Sequence, residues 1–448
     1  MSGASFTIMT FGCQMNVNDS SWLARALLAR GFTQAPAEKA DVILVNTCSV
    51  REKPEQKVIS TIGRIRQMTG CSKDVIVGIL GCVAQQMGSA LFSHSPQVRL
   101  VCGGDAIAQA PDAITRLLRE PALRISLLDF SEHYAEREKG EDTPCGPTAF
   151  VNIMQGCDNF CTYCIVPYTR GRQKSRTARA VLEECRNCLD RGAKEITLLG
   201  QNVNAFGRDR YGDGTTFDGL LAQVDALPGL QRLRYTSPHP KDMRAEDVTA
   251  FARLEHLCPS LHLPLQCGSD RILKRMARRY GRREYADLVD RLRSARPDIA
   301  LSTDLIVGFP GETEDDFQET LDLVRNCGFV SSYSFCYSDR PGAKAALFPD
   351  KVPNAVSKDR LQRLQAVQED LGRRWLSKRV GARTKVLLEG ESRKSADDGA
   401  SWQGRDPYGA LVHVRMPIGQ NHAGRMVDVT IAEAKKHSLI ARLAAAHD

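Results

Sequence analysis

Three thiols in the run GCDNFCTYC, residues 156–164, stand at C-x3-C-x2-C spacing as Cys157, Cys161 and Cys164. A 4Fe-4S cluster takes four thiolates. So tight a triplet leaves one iron with an open coordination position for a small molecule. An iron held open in this way can take the amino and carboxylate groups of S-adenosylmethionine. One electron then splits the sulfonium and makes a 5'-deoxyadenosyl radical, chemistry that belongs to the cofactor and not to a side chain. The alternatives are a zinc knuckle or three buried core thiols. Zinc sites usually pair two C-x2-C halves, or cysteines with histidines at longer separation, and the first histidine downstream of this loop is His239.

Three further cysteines sit alike: Cys13 in TFGCQMN, Cys48 in ILVNTCSVRE and Cys82 in GILGCVAQ. Each follows an apolar run and opens a turn. Runs 5–10, 41–46, 75–80 and 98–102 read as parallel strands, and 20–30, 52–68 and 107–119 as helices. The alternation predicts a doubly wound α/β domain over residues 4–125, in which ligands gather beyond the carboxyl ends of the strands. Three cysteines at equivalent strand ends suit a second iron–sulfur site, and the plainer reading is small buried residues.

A charged, poorly patterned stretch, SEHYAEREKGEDTPCGP, breaks the pattern, and a linker is placed at 126–142. Over 143–374 a strand-then-helix unit repeats, with strands at 150–154, 195–199, 232–236, 260–263, 300–307 and 331–337. Helices are expected at 178–191, 217–226, 245–254, 283–294 and 314–326. Six such units predict a partial (β/α)6 barrel with its site at the C-terminal ends of the strands, and the C-x3-C-x2-C loop leaves the first strand. Residues 377–445 change to short β-rich runs at 385–389, 402–405, 410–414 and 426–431, a small all-β barrel of a type that commonly binds nucleic acid.

The 448 residues, 42% hydrophobic and 25% charged, suit several globular domains. No apolar run approaches a membrane span, and the start MSGASFTIMTFGC lacks a secretion signal. A cytoplasmic protein without membrane association is therefore expected. Fifteen cysteines in such a chain argue for reduced thiols and metal ligation over a disulfide framework. The net charge of +8 suits a polyanionic partner.

The motifs TFGCQMNVNDS, VNTCSVRE, LGCVAQQ, GCDNFCTYCIVPYTRGR, LLGQNVNAFG, TSPHP, HLPLQCGSDRILKRM and STDLIVGFPGET occur in that order. In this the chain resembles the radical S-adenosylmethionine methylthiotransferases over essentially its full length, on the branch that modifies N6-isopentenyladenosine in tRNA. The resemblance implies an N-terminal domain with an auxiliary cluster, a radical S-adenosylmethionine (SAM) barrel and a C-terminal TRAM barrel that engages tRNA. It assigns Cys13, Cys48 and Cys82 to an auxiliary 4Fe-4S cluster and Cys157, Cys161 and Cys164 to the radical cluster. It implies two uses of S-adenosylmethionine, one giving its methyl to a sulfur and one cleaved to a radical that takes hydrogen from C2 of the adenine. No catalytic side chain beyond the cluster ligands is implied.

In this resemblance GQNVN, with Gln201 and Asn202, marks the isopentenyl-adenosine branch, and its place suits cofactor binding; Tyr163 suits stacking on the cofactor adenine. A polar helix-capping loop and simple packing are the plain alternatives. Arg170, Arg172, Lys174, Arg275, Arg278 and Arg279 are candidate RNA contacts, the last three within a run whose helical spacing aligns Arg271, Lys274, Arg275, Arg278 and Arg279. A solvated charged face is the alternative. The expected partners are tRNA carrying N6-isopentenyladenosine and an electron donor such as a flavodoxin or ferredoxin, with the chain a monomer. Cys185 and Cys188, on a helix, read as surface or core thiols. Cys267 stands where relatives have serine, and Ala343 where they have threonine. Competing functions are methylthiolation of threonylcarbamoyl-adenosine or of a ribosomal-protein aspartate, and, more remotely, non-catalytic RNA binding with structural metal.

Overall fold

The computed structural model describes residues 3–49, 54–70, 72, 74–138, 140, 143–392, 400–417 and 419–444. Valine- and isoleucine-rich runs buried on both faces form the middle of a parallel sheet. Its strands are β1 (Ser5–Phe11), β2 (Thr33–Gln34), β3 (Val42–Thr47), β4 (Ile76–Gly81), β5 (Val98–Cys102) and β6 (Ile125–Leu127), in the order β2-β1-β3-β4-β5-β6. Helices α1 (Gln14–Ala29) and α4 (Ala110–Arg119) bury one face around Trp22, Leu23 and Leu117. Helices α2 (Pro54–Met68) and α3 (Cys82–Met87) bury the other around Val58, Ile62 and Val83. The strand order reverses between β1 and β3, where a crevice for ligands opens in sheets of this kind.

Strand β6 runs into the stretch assigned to the linker, and the rest of that stretch is a strap, not a free spacer. Trp22 Nε1 donates to the Glu138 carbonyl (3.0 Å), Arg137 pairs with buried Asp19, and Ser131 N–H donates to Asp105 (2.6 Å). Lys139, Glu141 and Asp142 of the linker, and residue 445 of the C-terminal barrel, lie outside the described residues.

The barrel is built from β7 (Thr148–Asn152), a small pair β8 (Met154–Gln155) and β9 (Lys174–Ser175), then β10 (Glu195–Leu199), β11 (Arg232–Tyr235), β12 (Ser260–His262), β13 (Ala300–Val307) and β14 (Ser331–Cys336). Two parallel three-stranded sheets, β11-β10-β7 and β12-β13-β14, meet at a bridge between Leu233 and Leu257. The barrel is thus six-stranded and open, with β7 and β14 as free edges. Between the strands run α5 (Val166–Thr169), α6 (Ala178–Asp190), α7 (Phe217–Asp225), α8 (Ala245–Arg253), α9 (Asp270–Arg275), α10 (Arg282–Ala295) and α11 (Glu314–Cys327). One core lies between strands and helices and includes Cys185 and Cys188.

The apolar pattern does not predict helix α12 (Asn354–Ser377), because its buried side chains are mostly polar, Ser357, Arg360 and Gln368 beside Leu364 and Leu376. It leads into a closed barrel, β15 (Arg383–Glu391), β16 (Ala400–Arg405), β17 (Leu411–Met416), β18 (Met426–Ala434) and β19 (Leu439–Leu443), ordered β15-β16-β17-β19-β18. Buried Arg232 and half-buried Arg234 of β11 donate to the carbonyls of Lys385, Arg405, Asp406 and Pro407 and fasten this barrel to the larger one. Among the described residues no helix is long and apolar enough to cross a membrane.

Candidate functional site

The first thiol set is a loop beyond β7. Gly156 starts it at φ +77, and a Cβ there would lie 2.0 Å from the Arg172 carbonyl oxygen, so only glycine allows the close pass. Backbone bonds from Cys157 N to Gly171 O (3.2 Å) and from Thr162 N to Met276 O (3.0 Å) pin the loop. Phe160 is held at φ +48, a costly conformation for a bulky residue. Arg278 Nη1 lies 3.4 Å from Cys161 Sγ, and Val166 N–H donates to Cys164 Sγ at 3.4 Å. Burial pushes the Cys157 thiol up and the Cys164 thiol to about 12.

The second set comes from three strand ends. Cys13 follows β1, Cys48 follows β3 and Cys82 opens α3 after β4. Cys13 is exposed and the other two are buried. Cys48 is hydrogen-bonded to both neighbours, which pulls Cys13 down to about 6 and Cys82 well below its ordinary value and holds Cys48 itself up. A buried amide network sets the spacing: Asn16 Nδ2 donates to Asn46 Oδ1 (2.9 Å), and Asn46 Nδ2 to the Asn16 carbonyl and Ser20 hydroxyl (both 3.0 Å). Gly81, at φ +88, brings β4 so near β3 that a Cβ would sit 2.4 Å from the Thr47 carbonyl oxygen.

The two sets meet through α5, which packs on α3. Arg170, six residues beyond Cys164, reaches back from the barrel and sets its Nε 3.4 Å from Cys82 Sγ, with both Nη atoms 3.3 Å from Asp19 Oδ2. Gln201 spans the same seam, accepting from Gly156 N–H (2.6 Å) and touching Met15 Sδ. A set of donors made of sulfur alone fits an iron–sulfur cluster, and the Cys48 hydrogen bond together with the Arg170 guanidinium favours the thiolate of Cys82. Among the described residues no three His, Cys, Asp or Glu side chains are arranged to hold a single metal ion.

Polar atoms wait at the mouth of the barrel beside the loop. Asn152 Oδ1 at the end of β7, Asn202 Oδ1 after β10 and His239 Nε2 after β11 are buried without a partner. Buried polar groups are almost always paired, so three orphans at successive strand ends fit a polar ligand. Burial, with the charges of Arg278 and Lys241, keeps His239 neutral. Asn202 also lines a cavity of about 260 Å³ with Asp158, Asn159, Arg208, Lys241 and Arg279. Tyr163 is half-buried on the barrel core, and its hydroxyl accepts from Arg278 (3.3 Å).

Three of the six basic residues expected at an RNA face turn inward instead. Arg170 bonds Cys82 and Asp19; Lys174 is buried on Asp105 (2.6 Å) and the Ser131 carbonyl (2.8 Å); Arg278 is buried among Cys161, Tyr280 and the Pro264 carbonyl. The expected helical face also stops short. Helix α9 ends at Arg275, and Ala277 and Arg279 take φ of +57 and +58. Arg172 and Arg279 remain exposed, and Arg275 is half-exposed on Asp350 (2.7 Å). The sequence reading does not single out Asp19, His239 or Asp242, the last of which accepts from Asn202 Nδ2 (2.7 Å). The TSPHP motif marked His239, whereas nothing in the spacing points to Asp19.

Two family models match the chain: Uncharacterized protein family UPF0004 over residues 5–103 and the Radical SAM superfamily over residues 151–324. A tRNA-2-methylthio-N(6)-dimethylallyladenosine synthase of Nitratidesulfovibrio vulgaris strain Hildenborough is 61% identical over 447 residues, covering 100% of both chains. The protein of that name from Oleidesulfovibrio alaskensis is 54% identical, covering 97% of each. Among solved structures, the radical S-adenosylmethionine methyltransferase TsrM of Kitasatospora setae, with cobalamin and a 4Fe-4S cluster bound, shares the fold at a TM-score of 0.57. That likeness covers 78% of this chain and 77% of TsrM at 15% identity.

Proposed function

The chain belongs to the tRNA-2-methylthio-N(6)-dimethylallyladenosine synthases, and from that premise we propose how its residues divide the work. It is a radical SAM enzyme that puts a methylthio group on C2 of N6-isopentenyladenosine in tRNA. That aromatic C–H is neither acidic nor polarised, so no positioned Asp, Glu or His can remove it as a proton. When bound, one cluster with S-adenosylmethionine supplies a 5'-deoxyadenosyl radical and the other supplies the sulfur.

Cys157, Cys161 and Cys164 hold the radical cluster; Cys13, Cys48 and Cys82 hold the auxiliary one. Asn152, Gln201, Asn202 and His239 bind the polar parts of S-adenosylmethionine, supported by their unpartnered atoms or place at the strand ends. Arg278 and Arg170 each face a ligand thiolate with a charge that cannot be lost. Exposed Arg172 and Arg279 take RNA phosphate. The protein works in the cytoplasm as a monomer, with its electron from a flavodoxin or ferredoxin.

The observation that carries this reading is the reach of Arg170 from the loop set to the strand-end set. It makes the two thiol sets neighbours across one seam, as a reaction needing radical and sulfur at a single carbon requires. The test is mass spectrometry of tRNA nucleosides after anaerobic incubation of the reconstituted protein with S-adenosylmethionine, reductant and tRNA carrying N6-isopentenyladenosine. The 2-methylthio derivative is expected. Deoxyadenosine without it would move the substrate to threonylcarbamoyl-adenosine or a ribosomal aspartate, and neither product would contradict the reading.

A further inference from the structure

The lumen of a (β/α) barrel is normally filled by branched side chains. Here small hydroxyl residues, Thr148 and Thr197 on one sheet and Ser260, Ser302 and Ser331 on the other, share the lumen faces with Phe150, Glu195, Arg234 and His262. They leave a cavity of about 1020 Å³. It runs from Gln14, the residue after Cys13, to Tyr408 and Leu411 of the small barrel.

The strand register fixes what faces this space. In β12, β13 and β14 the pairs His262–Ser302 and Asp304–Tyr333 bring His262, Ser302, Asp304, Tyr333 and Phe335 to the lumen side, while Leu261, Leu301 and Leu305 go to the helices. Tyr333 is 64% exposed and Phe335 38% exposed, on the free edge of the open barrel. Phe150 lines the cavity from the opposite free edge, β7. His262 is pinned by Ser302 (3.0 Å) and Asp304 (3.2 Å) and meets Tyr333 edge-on with ring centres 5.9 Å apart, which braces Tyr333 and leaves a ring face open.

We propose that the lumen face of Tyr333 and Phe335 is a stacking wall for an unstacked purine of RNA, admitted through the open side of the barrel and braced from behind by His262. The inference rests on the tRNA reading above and adds the place where the base is held. Both edges of the opening carry aromatic rings, as single-stranded base recognition requires, and the cavity continues to the residue beside Cys13.

The test compares two anticodon stem-loop RNAs, one with N6-isopentenyladenosine at the modified position and one abasic there, in equilibrium binding. Wild-type protein binds the first more tightly by about 5- to 150-fold. In Tyr333→Ala that ratio falls toward one while the abasic RNA binds as before, which also reports intact folding; Tyr333→Trp restores it. A ratio that survives both Tyr333→Ala and Phe335→Ala overturns the wall and leaves the tRNA reading standing. A ratio of one in the wild-type protein overturns both.

Discussion

The two thiol sets each gather three cysteines, and they do so in opposite ways. Cys157, Cys161 and Cys164 lie within a single loop, so their spacing is a property of eight residues and of the strained turn at Phe160. Cys13, Cys48 and Cys82 are 35 and 34 residues apart (48 − 13 and 82 − 48) and come together only after β1, β3 and β4 have paired. The loop set can be damaged locally. The strand-end set depends on the whole sheet, and on Asn16, Asn46, Gly81 and the visiting Arg170 that fix its spacing.

The sharpest break separates the two sets by product. Cys157→Ala abolishes both deoxyadenosine and the methylthio nucleoside, whereas Cys13→Ala keeps deoxyadenosine and loses the nucleoside; anaerobic assay with mass spectrometry reads both. Arg170→Ala should come next. It removes one partner of a buried ion pair at the seam, though Arg137 still faces Asp19, which places the loss near the low end of the usual range, about 3 kcal/mol. Thermal unfolding checks this, and iron analysis should show the strand-end set losing metal first.

Gly81→Ala forces a left-handed residue against the Thr47 carbonyl. It should cost about 1–3 kcal/mol and deplete iron from the strand-end set alone, since the loop set has no bond to β4. The smallest effect is on the outer side of the loop. Arg172→Ala breaks an exposed pair with Asp158 (2.8 Å) and should change stability by less than about 1 kcal/mol. If Arg172 touches phosphate, the slope of log affinity against log salt for tRNA falls by about 1.

The same contrast explains what the sequence discloses. The loop set is legible from spacing alone, and the strand-end set from three equivalent positions after apolar runs. Strands β10 and β13 are legible end for end because each is rich in leucine, isoleucine and threonine and is closed by a glycine, Gly200 and Gly308. Helix α12 was missed because it buries Arg360 and Gln368 in place of an apolar stripe, and β19 because its five residues carry little pattern. The basic run after Cys164 misled more deeply. Arg170 caps the end of α5 and Lys174 lies in β9, and these two with Arg176 turn to Asp19, Asp105 and Glu136 at the seam between domains, while Arg172, in the turn between α5 and β9, faces solvent beside Asp158. Composition shows the charges and is silent about which Asp or Glu each will meet.

The claim beneath all of this is that the chain builds two separate clusters. Anaerobic reconstitution followed by iron and sulfide analysis with Mössbauer spectroscopy tests it most directly. Wild-type protein should hold about eight iron per chain as two 4Fe-4S clusters, and alanine at all three cysteines of either set should leave about four. Four iron in the wild type, or a variant of one set that empties both, would contradict it.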